Sequence, residues 1–133
     1  MFSEIILASK SGVRKKILEE NQIKFIVEPS NVDEDSVKES LLKENATPEI
    51  ISKNLAELKA NKISQKRNGN LVLGADSVIN LKGKIISKPI NRKEALETLR
   101  NLNGQTHHLI SSVCVSLNGS MVWNYTDRAS LTM

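Results

Sequence analysis

Aromatic side chains are nearly missing from this sequence: two Phe, one Trp and one Tyr in 133 residues. A core must therefore be assembled from Ile, Leu and Val, and a stacking platform for single-stranded nucleic acid has little to be built from. The single cysteine, Cys114, excludes an internal disulfide, and its place in the apolar run SSVCVSL reads as a small buried residue. Histidine is nearly as scarce. His107 and His108 are adjacent in a strand-like stretch and so point to opposite faces, which argues against a histidine-based metal site. No run approaches the ~18 apolar residues of a membrane span, and the opening MFSEIILASK has no basic leader. The expected location is cytoplasmic, with no membrane partner. Dense basic blocks are also missing, so no nucleic-acid partner is expected. The excess of 19 basic over 15 acidic residues, a net charge of +4, reads either as a solvated surface or as charge converging on one anionic ligand.

What is present is the patterning of one α/β domain, with 39% hydrophobic and 26% charged residues. Glu4 to Ser9 reads as a buried strand, stopped by the turn-forming SKSG. The helix VRKKILEEN follows, with Val13, Ile17 and Leu18 on one face. Ile23 to Pro29 reads as a second strand. From Glu34 to Arg67 the pattern is helical, with Thr47 as N-cap, Pro48 in the first helical position and Ile50, Ile51, Leu55, Leu58 and Ile63 at helical spacing. LVLGADSVINLKGKIISKP reads as a hairpin turning around Gly83, and NRKEALETLRNLNG as a helix capped by Asn91. Two strands joined at Asn118-Gly119-Ser120 come next, with another expected to begin at Ala129. Hairpins interrupt the strand–helix alternation, so the expected fold class is α/β, a single domain with a mixed central sheet flanked by helices. The strand-like pattern is still running at Met133, so either the last strand is an edge or the chain is shorter than the domain it belongs to.

One carboxylate stands out. In VLGADSVI, Asp76 lies among residues that read as buried, where a charge costs several kcal/mol unless it is paired, hydrogen-bonded or bound to a metal. It reads either as a turn cap at a strand end or as a general base or ligand for a hard divalent cation. The acidic run NVDED offers Asp33 or Glu34 to the same ion, and otherwise reads as a surface turn. In ASKSGVRKK a strand runs into a helix through Ser9, Ser11 and Gly12. Arg14, Lys15 and Lys16 occupy the first helical turn, where the dipole disfavours cations. Such charges make sense if an anion binds there, although neither the P-loop nor the dinucleotide fingerprint is matched. Lys59 lies on a helix and Lys88 follows a strand in ISKP. No Ser/His/Asp arrangement supports acyl transfer. The residues by themselves point to a phosphate-containing ligand, and leave open whether it is hydrolysed with a metal.

Four segments, in order, resemble the Maf-like nucleoside triphosphate pyrophosphatases, also called septum formation inhibitors. LASKSGVRK is similar to the family's Leu-Ala-Ser-x-Ser-Pro-Arg-Arg, NVDE to its acidic segment, LAELKA to Leu-Ala-x-x-Lys-Ala, and LGADSVINLKGKIISKP to its Gly-Ala-Asp-Thr strand pair ending in Gly-Lys-Pro. EALETLRNLNGQTHHLISSV continues the likeness. The resemblance implies an inosine-triphosphatase-like fold over residues 1–133 and hydrolysis of a nucleoside triphosphate to the monophosphate and pyrophosphate, with magnesium or manganese. It implies Asp76 as the catalytic carboxylate and metal ligand, with Glu34 assisting at the metal. Ser9, Arg14 and Lys15 would hold the phosphates, Lys59 and Lys88 would add positive charge, and Ser77 would bear on the base, tilting it toward dTTP or UTP. A homodimer is a further expectation. The sequence departs from the family at Val13-Arg14-Lys15, which replaces Pro-Arg-Arg, and at Ser87, which replaces Gly; the family's later Ala-Gly-x-Tyr-x-Ile-Gln-Gly segment is absent. The alternative expectation is a nucleotide-binding or cell-division regulatory protein without catalysis.

Overall fold

A computed structural model of the chain describes residues 5–9, 12–82, 84–86 and 91–132. The elements run β1 (Ile5–Leu7), α1 (Gly12–Glu20), β2 (Phe25–Val27), α2 (Glu34–Lys43), α3 (Pro48–Ser64), β3 (Leu71–Leu81), β4 (Lys84–Ile86), α4 (Arg92–Leu102), β5 (Thr106–Leu117) and β6 (Ser120–Thr132). The expected α/β class with a mixed sheet holds. The sheet order is β2-β1-β3-β5-β6, with β4 also paired to β3. β1 is parallel to β2 and β3, whereas β5 pairs antiparallel with β3 on one side and with β6 on the other.

Two expectations need correction. The helical stretch from Glu34 to Arg67 holds two helices, the second starting at Pro48 under the Thr47 cap as expected, but α3 ends at Ser64 and not at Arg67. Proline disfavours helical geometry in the residue before it, and Thr47 is extended at ψ 159 while its hydroxyl caps Ile50 N–H. Asn45 adopts a left-handed φ of 60, which completes the break. The last strand is also one element: β6 continues through Ala129, which pairs with Leu109, so no new strand begins there. The continuous ladder to β5 overrides the local polar break at Thr126-Asp127-Arg128. Gly83, the expected pivot of the β3–β4 hairpin, lies outside the described residues, but Leu81 pairs with Lys84 as that hairpin requires.

β3 organises the molecule. β5 runs along one edge of it, from Val72 opposite Ser116 to Asn80 opposite His108. β1 and β4 share the other edge, at Leu71–Leu73 and Ile79–Leu81 respectively. Between them, residues 74–78 have no strand on that edge among the described residues. α3 crosses the sheet face presented by Val72, Gly74, Asp76 and Val78. Ala56, Ala60 and Ile63 pack with Ile6, Ala8, Val72 and Cys114, while Ile51 and Leu55 pack with Val78 and Ile110. Gly74 is required by this crossing: a Cβ there would lie 2.4 Å from the Ala56 carbonyl oxygen and 2.7 Å from Ala60 N. Of the apolar residues placed on this helix by spacing, Ile51, Leu55 and Ile63 are buried, whereas Ile50 and Leu58 are exposed on its flanks. In α1 the face expected to be apolar leaves Ile17 exposed. No described helix is long and apolar enough to cross a membrane.

Candidate active site

The gap between β1 and β4 exposes polar backbone on β3, and α3 answers it. Ala8 N–H donates to the Leu73 carbonyl at 2.9 Å. Carbonyls of alternate strand residues face the same edge, so the next one, on Ala75, points past the end of β1. Lys59 Nζ donates to it at 3.3 Å. About two turns earlier on the helix, Ser52 Oγ donates to the Asp76 carbonyl at 3.1 Å. These two bonds seat α3 on β3 exactly where a carboxylate side chain projects between the two apolar clusters.

That carboxylate, Asp76, is 5% exposed, and Lys59 is 8% exposed. Lys59 Nζ lies 3.2 Å from Asp76 Oδ1 and also pairs with Glu34 Oε1. The ammonium therefore stands between two carboxylates, one from the strand and one from the start of α2. Burial pushes the Asp76 carboxyl above its usual range; Lys59 opposes this by charge and hydrogen bond, Glu34 adds to it, and Lys38 weakly opposes it. Asp76 Oδ2 is buried without a hydrogen-bond partner among the described residues. A buried, half-satisfied carboxylate is costly, so this atom is poised for a proton or a cation.

Lys59 lines a cleft of about 530 Å³, with Ala8, Ser9, Arg14, Glu34 and the Pro29–Asp35 segment forming the rest of its wall. Asp76 lies directly behind Lys59. Arg14 reaches the cleft from the first turn of α1 and donates through Nη1 to Ser9 Oγ at 2.9 Å. Burial lowers the basicity of its guanidinium, while the negative charges of Asp76 and Glu34 raise it.

The structure thus brings together Ser9, Arg14, Glu34, Lys59 and Asp76. It separates the acidic run: Asp33 is occupied as the α2 N-cap, accepting from Ser36 N–H at 3.2 Å, so Glu34 is the residue that reaches Lys59. Lys15 is exposed and lines a separate groove with Glu19, Lys24 and Phe25. Neighbouring residues on a helix are about 100° apart, so Arg14 and Lys15 cannot both enter the cleft from one turn. Ser77 falls on the opposite face of β3 from Asp76, by strand alternation, where its Oγ lies 2.9 Å from Ser111 Oγ. Lys88, Ser87 and Ser11 lie outside the described residues. His107 and His108 alternate on β5, as expected, and no group of three or more His, Cys, Asp or Glu forms a metal cage among the described residues. Sequence reasoning missed Ser52. The signal was available, since Ser52 lies seven residues before Lys59 and therefore on the same face of α3.

The residues fit a divalent cation of the hard, oxygen-preferring kind. Asp76 offers a bare buried oxygen, Glu34 a second carboxylate beside it, and ions such as magnesium take one or two protein carboxylates and complete their shell with substrate phosphates and water.

The Maf-like protein family is matched along residues 4–133. The chain is 78% identical over 133 residues to a nucleoside triphosphate pyrophosphatase of Pelagibacter ubique, covering 100% of this chain and 68% of that protein. It is 42% identical over 129 residues to the nucleoside triphosphate pyrophosphatase of Ruegeria pomeroyi, covering 97% and 65%. A 7-methyl-GTP pyrophosphatase of Brucella abortus is 35% identical over 133 residues, covering 100% and 67%. The chain spans about two thirds of the length of these relatives. Among solved structures, a HAM1 protein from Coxiella burnetii superposes with a TM-score of 0.57 at 16% identity, covering 98% of this chain and 71% of that one. A dITP/XTP pyrophosphatase from Mycobacterium abscessus gives 0.52 at 14% identity, covering 96% and 72%. At those identities the likeness is one of fold, and it agrees with the inosine-triphosphatase-like class. A family match running almost from end to end, a relative of such high identity and a shared architecture have one consequence: the chain belongs to the Maf-like protein family.

Proposed function

We propose that the chain is a hydrolase that converts a nucleoside triphosphate to its monophosphate and pyrophosphate. The observation that carries this reading is the buried Asp76 carboxylate behind Lys59, at the back of a cleft flanked by Arg14 and Ser9. The names of the relatives support it.

In this reading the triphosphate enters between Arg14 and Lys59. Its oxygens compete with Glu34 and Asp76 for the Lys59 ammonium, and drawing that ammonium forward uncovers Asp76 Oδ1. Arg14 and Ser9 fix the phosphate chain, and charge neutralisation at the phosphates lowers the barrier to displacement. Asp76 accepts the proton of a water that attacks the α-phosphorus; the α–β phosphoanhydride bond breaks and its electron pair leaves on pyrophosphate. An elevated carboxyl basicity suits that task better than an ordinary one. Asp76 Oδ2 and Glu34 would hold a magnesium or manganese ion, which when bound neutralises phosphate charge. Lys88 and Lys15 are proposed only as secondary sources of charge. The finer expectation of a pyrimidine base rests on the Ser77 hydroxyl, which pairs with Ser111 on the far face of β3. A cytoplasmic, homodimeric protein remains part of the proposal.

A second reading is a nucleotide-binding regulatory protein without turnover, favoured by the placement of Asp76 behind the cleft wall. Pyrophosphate release from a panel of nucleoside triphosphates, with magnesium or manganese and beside Asp76→Ala, separates the two. Release that disappears in the folded variant establishes hydrolysis and identifies the base. Tight nucleotide binding by the wild-type chain with no pyrophosphate under either metal overturns it in favour of the regulator.

A further inference from the structure

The wall of the cleft opposite Lys59 is held in an unusual way. After Glu28 N–H donates to the Leu7 carbonyl at 3.0 Å, residues 29–32 make no backbone–backbone hydrogen bond among the described residues until Val37 N–H closes on Asp33 O. Asn31 in this segment is left-handed, at φ 53. A stretch with unsatisfied backbone and no strand partner is ordinarily mobile. Here α3 supplies what the backbone does not. Arg67, just past the helix end, donates through Nε to Glu28 Oε1 at 2.9 Å, and its Nη2 pairs with the same oxygen. Lys62 Nζ donates to the Asn31 carbonyl at 3.1 Å. Lys59 then takes Glu34. Cations at 59, 62 and 67 meet oxygens at 34, 31 and 28, so the segment runs antiparallel to the helix with one tie per turn or so.

We propose that Arg67 and Lys62 are positioning residues: they fasten the segment between β2 and α2 to α3, so that Glu34 arrives at Lys59 and the cleft keeps its acidic wall. This rests on reading the cleft as a pyrophosphatase site. Neither side chain lines the cleft, so they act through Glu34 and not on the nucleotide. An exposed ion pair of this kind contributes little to global stability; its effect is local, because residues 29–32 have no backbone–backbone hydrogen bond of their own among the described residues.

The test uses the full 133-residue chain with Arg67→Ala, Lys62→Ala, Arg67→Lys and the reciprocal exchange Glu28→Arg with Arg67→Glu. Backbone amide order parameters are read by NMR across residues 30–34 and, for comparison, along β3 and β5. The ladder predicts that Arg67→Ala drops the segment from the rigid range of about 0.85 to below about 0.6 while the strands keep their values. Arg67→Lys and the exchange restore it. In pyrophosphate release, Arg67→Ala lowers kcat about fivefold with KM changed less than about twofold, and Lys62→Ala does the same more weakly. Unchanged order in residues 30–34, a loss spread equally over the strands, or an exchange that fails to restore order each overturns the proposal. A wild-type chain that releases no pyrophosphate overturns the functional reading instead, and the order parameters still decide the ladder.

Discussion

Lys59 Nζ lies 3.2 Å from Asp76 Oδ1, and both side chains are buried on the face where α3 crosses β3. A cation from a helix and an anion from a strand meet here out of water, with Glu34 completing the pairing from the edge of the cleft. Burial makes Asp76 more basic than a free carboxylate against the opposing pull of Lys59, and the pairing makes Lys59 the group that must move before Asp76 can act.

Lys59→Met should therefore be severe. It leaves Asp76 buried and uncompensated, at a cost of about 3–5 kcal/mol near neutral pH. Without Lys59 the Asp76 carboxyl is driven higher still, so the deficit shrinks as pH falls and Asp76 takes up a proton. Urea unfolding of wild type and variant between about pH 4 and 8 checks this; a deficit that stays constant or grows toward acid would refute it.

The same basicity has a signature in the wild type. A carboxyl raised in the folded state binds its proton more tightly folded than unfolded, so stability falls as pH rises from its ordinary value near ~3.9 through its raised folded value. Asp76→Asn removes that titration. Relative to wild type the variant gains stability over that interval and holds the gain above it, while pyrophosphate release falls by at least ~100-fold. The acidic limb of the wild-type rate profile should lie above the usual carboxylate range, and a limb at or below ~3.9 would count against Asp76 as the base.

Gly74→Ala should push α3 off the sheet. The new methyl would meet backbone atoms of Ala56 and Ala60, which cannot rotate away as a side-chain tip can. Overpacking of this kind costs about 1–3 kcal/mol, and a displaced helix takes Lys59 from Asp76. The midpoint of urea unfolding and the rate of pyrophosphate release should fall together; a variant as stable and active as wild type would show that the crossing has slack.

Cys114 offers a probe of the core. It is fully buried on β5, and burial pushes its thiol up to about 11. At pH 8 only roughly a thousandth of it is thiolate, so a disulfide reagent should be excluded from the folded chain and react at once in denaturant. Rapid reaction of the native protein would show that the sheet opens at β5.

Much of the fold was legible in local pattern. Thr47-Pro48 and Asn91 announce α3 and α4 because caps and proline act on the backbone beside them, and both caps are made as expected. The strands were found in order because apolar runs bounded by turn residues have few alternatives. The extent of β6 was not legible, since a polar patch in an antiparallel ladder is held by its partner strand and not by its own composition. Nor could spacing say that Ile50 and Leu58 stay exposed, because which flank of a helix is covered depends on where the sheet lies.

The site divides in the same way. The sequence by itself determined the chemistry available: one carboxylate set in an apolar strand, a serine and an arginine where a strand enters a helix, an acidic residue opening α2, and a lysine on the longest helix. Tertiary structure decided which of these meet. It placed Arg14 in the cleft and Lys15 outside it, assigned Asp33 to a helix cap and Glu34 to Lys59, and turned Ser77 to the far face of the strand that carries Asp76. The reason is geometric. Residue type sets what a group can do, but the groups of one site come from elements distant in the chain, and only the crossing of α3 over the gap between β1 and β4 sets the distances among them.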